Sequence, residues 1–205
     1  MVQAGEGLNP RSTRADARRS HLLDTARKLF IENGFHRTGM AQIAASSGIK
    51  VGQIYRDFQG KEDIIAAICE ADVPAWLRED ILTEAVAKKD LPAIRAWIGR
   101  FGSPQGPLDG ARLMAEIVAE AWRNERIAEI NRCIDIRIRT SLASALAALA
   151  PEAERSKEIE LLVDFILAIG FGIQMRRMMN PGLDLAGLSR SVSALINRRL
   201  DDFAS

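Results

Sequence analysis

Met40-Ala41-Gln42-Ile43-Ala44-Ala45-Ser46-Ser47-Gly48-Ile49-Lys50-Val51-Gly52-Gln53-Ile54-Tyr55-Arg56-Asp57-Phe58 reads as two short helices joined by a tight turn. Helices crossing at about 90–120° need a small side chain where they touch and a residue that tolerates positive φ between them. Ala44 and Gly48 meet those needs, and Ile43, Ile49 and Ile54 fall at the spacing that fills the wedge between the two helices. The second helix is about two turns long and keeps Val51, Gly52, Gln53, Tyr55 and Arg56 near its exposed face, so it fits a DNA major groove. An ordinary helical hairpin packs its corner with the same residue types, so the surrounding chain has to decide.

Charge favours the groove. Residues 1–61 carry ten Lys and Arg against five Asp and Glu, whereas the remainder carries eighteen against twenty-two, all within a formal net charge of +1. That split describes a small polyanion-binding head on a neutral or acidic body. Residues 1–12, with Gly5, Gly7, Pro10 and Arg11, read as a disordered basic arm.

The rest is helical in period, with no alternating strand pattern, and predicts an all-α fold of about nine helices. Thr13 to Asn33 forms the first helix, ended by Gly34. A long helix is expected from Lys61 to Ala87, kinked at Pro74. Asp90 caps a helix reaching Phe101, and helices follow over 108–123, 127–149, 152–179 and 184–203. The domains so defined are a helix-turn-helix head over 13–60 and a helical body over 61–205. With 47% apolar and 27% charged residues, this chain can bury a core without disulfide or metal. No run approaches the roughly 18 apolar residues of a membrane span, and the polar, basic start is unlike a signal peptide, which predicts a cytoplasmic protein without membrane contact. Cys69 and Cys133 lie in apolar helical patterns and are expected to be buried thiols. His21 and His36 are too isolated for a metal cluster or a catalytic dyad. The chain also lacks paired carboxylates beside a nucleophile and a Gly-rich phosphate loop, so neither an enzyme nor a cofactor is expected.

Leu29-Phe30, Gly34-Phe35, Thr38, Ile43-Ala44, Gly48-Ile49, Gly52, Ile54-Tyr55, Phe58 and Lys61-Glu62 together resemble the signature of the TetR family of transcriptional regulators. The motifs span roughly residues 20–65, and the remainder resembles the family in length, helix order and helical character. The resemblance implies DNA contacts from Thr38, Ala41, Lys50, Val51, Gly52, Gln53, Tyr55, Arg56 and Lys61. Gln53 is the strong hydrogen-bonding base reader, able to pair with adenine, while Val51 suits a thymine methyl. Tyr55 and Lys61 match positions that reach phosphate, Lys61 helped by the helix start on which it sits. Two positions depart from the pattern. Lys50 replaces the usual Ser or Thr cap of the recognition helix and cannot accept from its amides. Asp57 stands where His is common and would repel a phosphate.

The resemblance further implies a homodimer on a double-stranded, palindromic operator, repressing until a small-molecule effector releases it. The apolar arc of the helix over 152–179 is too wide for one partner. Leu161, Phe165, Ile169 and Gly172, with Val192, Leu195 and Ile196 of the last helix, are the expected dimer face. Trp97, Phe101, Met114, Ile117, Arg137 and Phe171 are the expected effector contacts. Core packing explains any single one of the large apolar residues better, and Arg137, beside an apolar stripe, needs either a protein partner or an anion. Glu116, Glu120 and Arg123 read as a solvated face. The alternative function is a constitutive or architectural DNA-binding protein without ligand response.

Overall fold

The structure is a computed structural model that describes residues 10–104, 106–150 and 156–204. The described residues are all-helical: α1 (Pro10–Asn33), α2 (Met40–Ser47), α3 (Val51–Asp57), α4 (Lys61–Leu77), α5 (Glu79–Ala87), α6 (Leu91–Gly99), a 3₁₀ turn (Arg100–Gly102), α7 (Leu108–Ala121), α8 (Glu125–Leu149), α9 (Ser156–Met179) and α10 (Leu185–Ala204). Residues 1–9 of the expected arm lie outside the described residues, and its last three already belong to α1. Local capping follows the sequence. The Asp90 carboxylate accepts from the Ala93 amide at 3.0 Å, and the Asn124 side chain accepts from Arg126 and Ile127 at the start of α8.

The long helix expected from Lys61 to Ala87 is broken in two, at Arg78 rather than bent at Pro74. Arg78 takes a left-handed conformation (φ 51°, ψ 52°), and its amide donates to the Pro74 carbonyl at 2.9 Å. Proline lacks the amide that would hold the preceding turn, so the helix is already weakened there. The break itself is stabilised from outside: Trp97 Nε1 donates to the Leu77 carbonyl at 2.7 Å, and Arg100 donates to the Leu77 and Trp76 carbonyls. Side chains of α6 and the 3₁₀ turn thereby satisfy carbonyls that a helix end leaves open. Glu79 and Asp80 then start α5, where the positive end of the helix dipole favours them.

Two apolar cores result. One lies wholly in the body and joins Leu77, Ile94, Trp97, Leu142, Leu146, Ile166, Ile196 and Phe203. The other is centred on Leu22, Phe30, Phe35, Ile43, Ile54 and Phe58 of the head. It also takes in Ile64, Ile65 and Ile68 of α4, Leu113 and Ile117 of α7, and Ile127 of α8. The head is therefore packed onto the body's helices through shared core, not hung from a linker.

Candidate DNA-reading head and internal cavity

In the head, Gly48 turns the chain from α2 to α3 in the left-handed region (φ 69°, ψ 10°). Ile43 and Ile54 are sealed beneath. Two contacts that the sequence reading missed fix this unit to α1: His21 Nε2 meets the Ser47 carbonyl at 3.1 Å, and the Arg19 guanidinium lies over the Phe58 ring at 4.9 Å. The outcome is one exposed surface carrying Ala41, Lys50, Val51, Gly52, Tyr55 and Arg56, with Gln53 half-buried among them. A Cβ at Gly52 would meet nothing within 4 Å, so the backbone there is open to close approach. Lys50 gives α3 no side-chain cap, as its chemistry requires.

Two residues expected at DNA serve the head itself. Thr38 is 1% exposed, and its hydroxyl faces the Gly34 carbonyl at 2.9 Å and the Leu29 carbonyl at 3.2 Å. Lys61 turns its ammonium into the α1–α2 loop, donating to the carbonyls of Phe35 (2.7 Å), His36 (3.2 Å) and Thr38 (3.2 Å), over the Phe35 ring at 4.4 Å. An ammonium has three protons to donate, and all three are engaged. Both residues brace the loop that sets α2 on α1.

The face expected to be solvated is also partly internal. Glu116 Oε2 accepts from the Phe35 amide at 3.2 Å, tying α7 to the end of α1, and Glu120 is 7% exposed. Cys69 is buried as expected, and burial pushes its thiol up to about 12. Cys133 is exposed, correcting the expectation, because it lies on the outer side of α8.

The body holds a cavity of about 620 Å³ among α4, the 3₁₀ turn, α7, α8 and α9. Phe101, Met114, Ile117 and Phe171 line it. Trp97 does not: it is 2% exposed, packed in the body core edge-on to Phe101 at 5.4 Å, with its indole N–H used at the α4 break. Arg137 does not either. Its guanidinium donates to Glu79 at 3.0 and 2.5 Å, and Ser141 joins at 3.0 Å. The Arg137 hydrogen bond holds the Glu79 carboxyl below the usual range. The partner that an arginine beside an apolar stripe requires is thus the start of α5. In their place the cavity gains Trp76, edge-on to Phe101 at 5.1 Å, and Arg139, paired with Asp164. Asp72 also lines it and accepts two hydrogen bonds from Arg27 of α1, at 2.7 and 2.9 Å. A break in α4 and a charge pair across elements leave no periodic trace, so these residues could not be found from spacing.

On α9 and α10, Leu161 is 72% exposed and Leu195 is 43% exposed, while Phe165, Ile169 and Gly172 are half-buried. Val192 and Ile196 point inward instead. Both pack against the body core, and a Cβ at Gly102 would lie 3.0–3.1 Å from their side chains. Ile196 is completely buried and is removed from the expected dimer face.

No group of metal-ligating side chains and no helix long and apolar enough to cross a membrane occurs among the described residues. The family described as bacterial regulatory proteins, tetR family, matches residues 22–68, the segment from the second half of α1 through the first half of α4. The HTH-type transcriptional regulator UidR of Escherichia coli K12 is 26% identical over 194 residues, covering 90% of this chain and 95% of that protein. A transcriptional regulator from Pseudomonas aeruginosa PAO1 shares the fold with a TM-score of 0.74 at 19% identity, over 93% of this chain and 91% of its own. A regulator from Saccharomonospora viridis, solved in complex with choline, does so with a TM-score of 0.67 at 18% identity, over 89% and 96%. An exposed short helix set on a sealed helix-turn-helix, a matching family segment and a relative aligned along most of its length agree: residues 22–68 match the tetR family of bacterial regulatory proteins, and the chain is similar along most of its length to an HTH-type transcriptional regulator.

Proposed function

We propose that the protein is a cytoplasmic homodimeric repressor that binds a palindromic operator and is released when a small, largely apolar effector enters the cavity of the body. The observation carrying this reading is that elements around the cavity also hold the head. Asp72, in the cavity wall, accepts from Arg27 of α1; Glu116, between the lining residues Met114 and Ile117, accepts from the amide at the end of α1. At the other end of the head, Glu62 of α4 accepts from Asn124 at 3.1 Å. A ligand that spreads α4 from α7 therefore pulls on α1 at two points.

Base-edge contacts fall to Gln53 and Val51, close backbone approach to Gly52 and Ala41, and phosphate contacts to Tyr55, Arg56 and Lys50. The dimer face is the apolar stripe of exposed Leu161 and half-buried Phe165, Ile169 and Gly172 on α9, with exposed Leu195 on α10. Pairing there sets two copies of α3 about one DNA turn, roughly 34–36 Å, apart, and a shift of a few ångströms loses one half-site. The choline complex of the Saccharomonospora viridis relative supports a small ligand in this fold. By linkage the effector binds the DNA-free conformation better, and a coupling of about 1–3 kcal/mol lowers operator affinity about 5- to 150-fold. The test is fluorescence anisotropy of labelled operator with the full chain while apolar compounds are added. Release by a compound that leaves the dimer intact in sedimentation is the expected result. Operator affinity untouched by every compound that binds the protein would leave constitutive DNA binding in its place.

A further inference from the structure

The cavity's polar groups are selective, and on the reading that it is the effector site they define the effector's chemistry. Gln174 of α9 lines the cavity, and its Oε1 is fully covered without a hydrogen-bond donor among the described residues. A covered acceptor without a donor is a standing cost; when the Gln174 amide turns this oxygen toward the cavity, a ligand N–H or O–H removes that cost and a ligand carboxylate, which has no proton to donate, does not.

The charges agree. Three carboxylates line the cavity, Asp72, Asp135 and Asp164, with two guanidinium groups, Arg100 and Arg139; Asp72 is paired with Arg27 of α1 and Asp164 with Arg139, which leaves Asp135 as the carboxylate without an ion pair among the described residues. Arg100 is held on the Leu77 and Trp76 carbonyls, and Arg139 is held by Asp164. An incoming acid would compete with these partners for the guanidinium donors, whereas an incoming cation meets Asp135, which is exposed and, though its charge acts on Arg139, forms no ion pair among the described residues. The remaining wall is apolar and aromatic. Trp76 and Phe101 meet edge to face, and Phe171 of α9 also lines the cavity, so aromatic rings of the kind that attract cations are at hand.

We propose that the effector is an apolar amine whose body fills the aromatic and aliphatic wall and whose protonated nitrogen donates to Gln174 Oε1. Calorimetric titration of the full chain with naphthylmethylamine, naphthylmethanol and naphthoate tests this, because the three share one apolar body and differ in the polar end. The amine is expected to bind at least about tenfold tighter than naphthoate, with the alcohol between them. Gln174→Leu is expected to weaken the amine about tenfold and leave naphthoate unchanged. Naphthoate binding as tightly as the amine, an undiminished affinity for the amine in a Gln174→Leu protein that keeps its helical circular dichroism, or no binding by any of the three overturns the proposal. The wild-type ranking stands as a test even if the variant does not fold. Amine binding that leaves operator affinity unchanged would instead remove the regulatory reading and keep the ligand chemistry.

Discussion

Gln53 and Tyr55 lie two positions apart on α3 and should fail in different ways. On the proposed reading, Gln53→Ala costs about 1–3 kcal/mol concentrated at one base position, because the lost amide is specific to one base edge. Tyr55→Phe removes a hydroxyl from a phosphate and should weaken binding to all operator variants alike; anisotropy against single-base variants separates the two patterns. Lys61 is the residue whose role changes most between sequence and structure. Motif position marks it for phosphate, but three-dimensional contact places its ammonium on the carbonyls of Phe35, His36 and Thr38. Lys61→Met should therefore destabilise the protein by about 1–3 kcal/mol in urea unfolding and leave the salt slope of DNA binding unchanged. A salt slope shallower by one unit with stability intact would return Lys61 to the phosphate. Thr38 went astray for the same reason: a motif records where a residue is needed and does not say whether it faces the ligand or the loop that carries the ligand's contacts.

Among the elements, the helix-turn-helix was legible because its steric demands are local, a small residue at a crossing and a glycine at a turn. Asp90, as a helix cap, was legible for the same reason; Asn124 caps α8 in the same way but was not read, because the helix was expected to start at residue 127. The break at Arg78 was not, since Trp97 and Arg100, about twenty residues away, stabilise it. The α9 and α10 faces show the limit of periodicity: it finds an apolar arc but cannot divide it between the body's own core and a second subunit. Structure separates the part of the arc that the body's own core covers, and the proposed pairing on the remainder can be tested. Leu161→Glu and Leu195→Glu place charge on exposed positions and should give a folded monomer by sedimentation with little change in secondary structure. Ile196→Ala opens the buried core and should cost about 2–5 kcal/mol without a selective effect on association. A stable dimer in the Leu161→Glu, Leu195→Glu double variant would move the interface elsewhere.

Across the whole molecule, the head shares core and polar ties with the helices around the cavity. The Arg27–Asp72 pair is partly exposed, so its contribution to stability is small, about 0–1 kcal/mol. Its value lies in direction, since it joins the cavity wall to α1. Arg27→Gln should leave operator affinity nearly unchanged in the absence of ligand and reduce the release produced by naphthylmethylamine by up to about fivefold, read by anisotropy with and without the amine. Beneath that coupling, on the proposed reading, two copies of α3 read DNA together. The most direct test is to recover and sequence the DNA that the full chain retains from a random double-stranded library. The account predicts an inverted repeat whose half-sites are centred about one helical turn apart, with Gln53→Ala relaxing the same position in each half. Recovery of an asymmetric motif, or of no motif above the starting library, would contradict it.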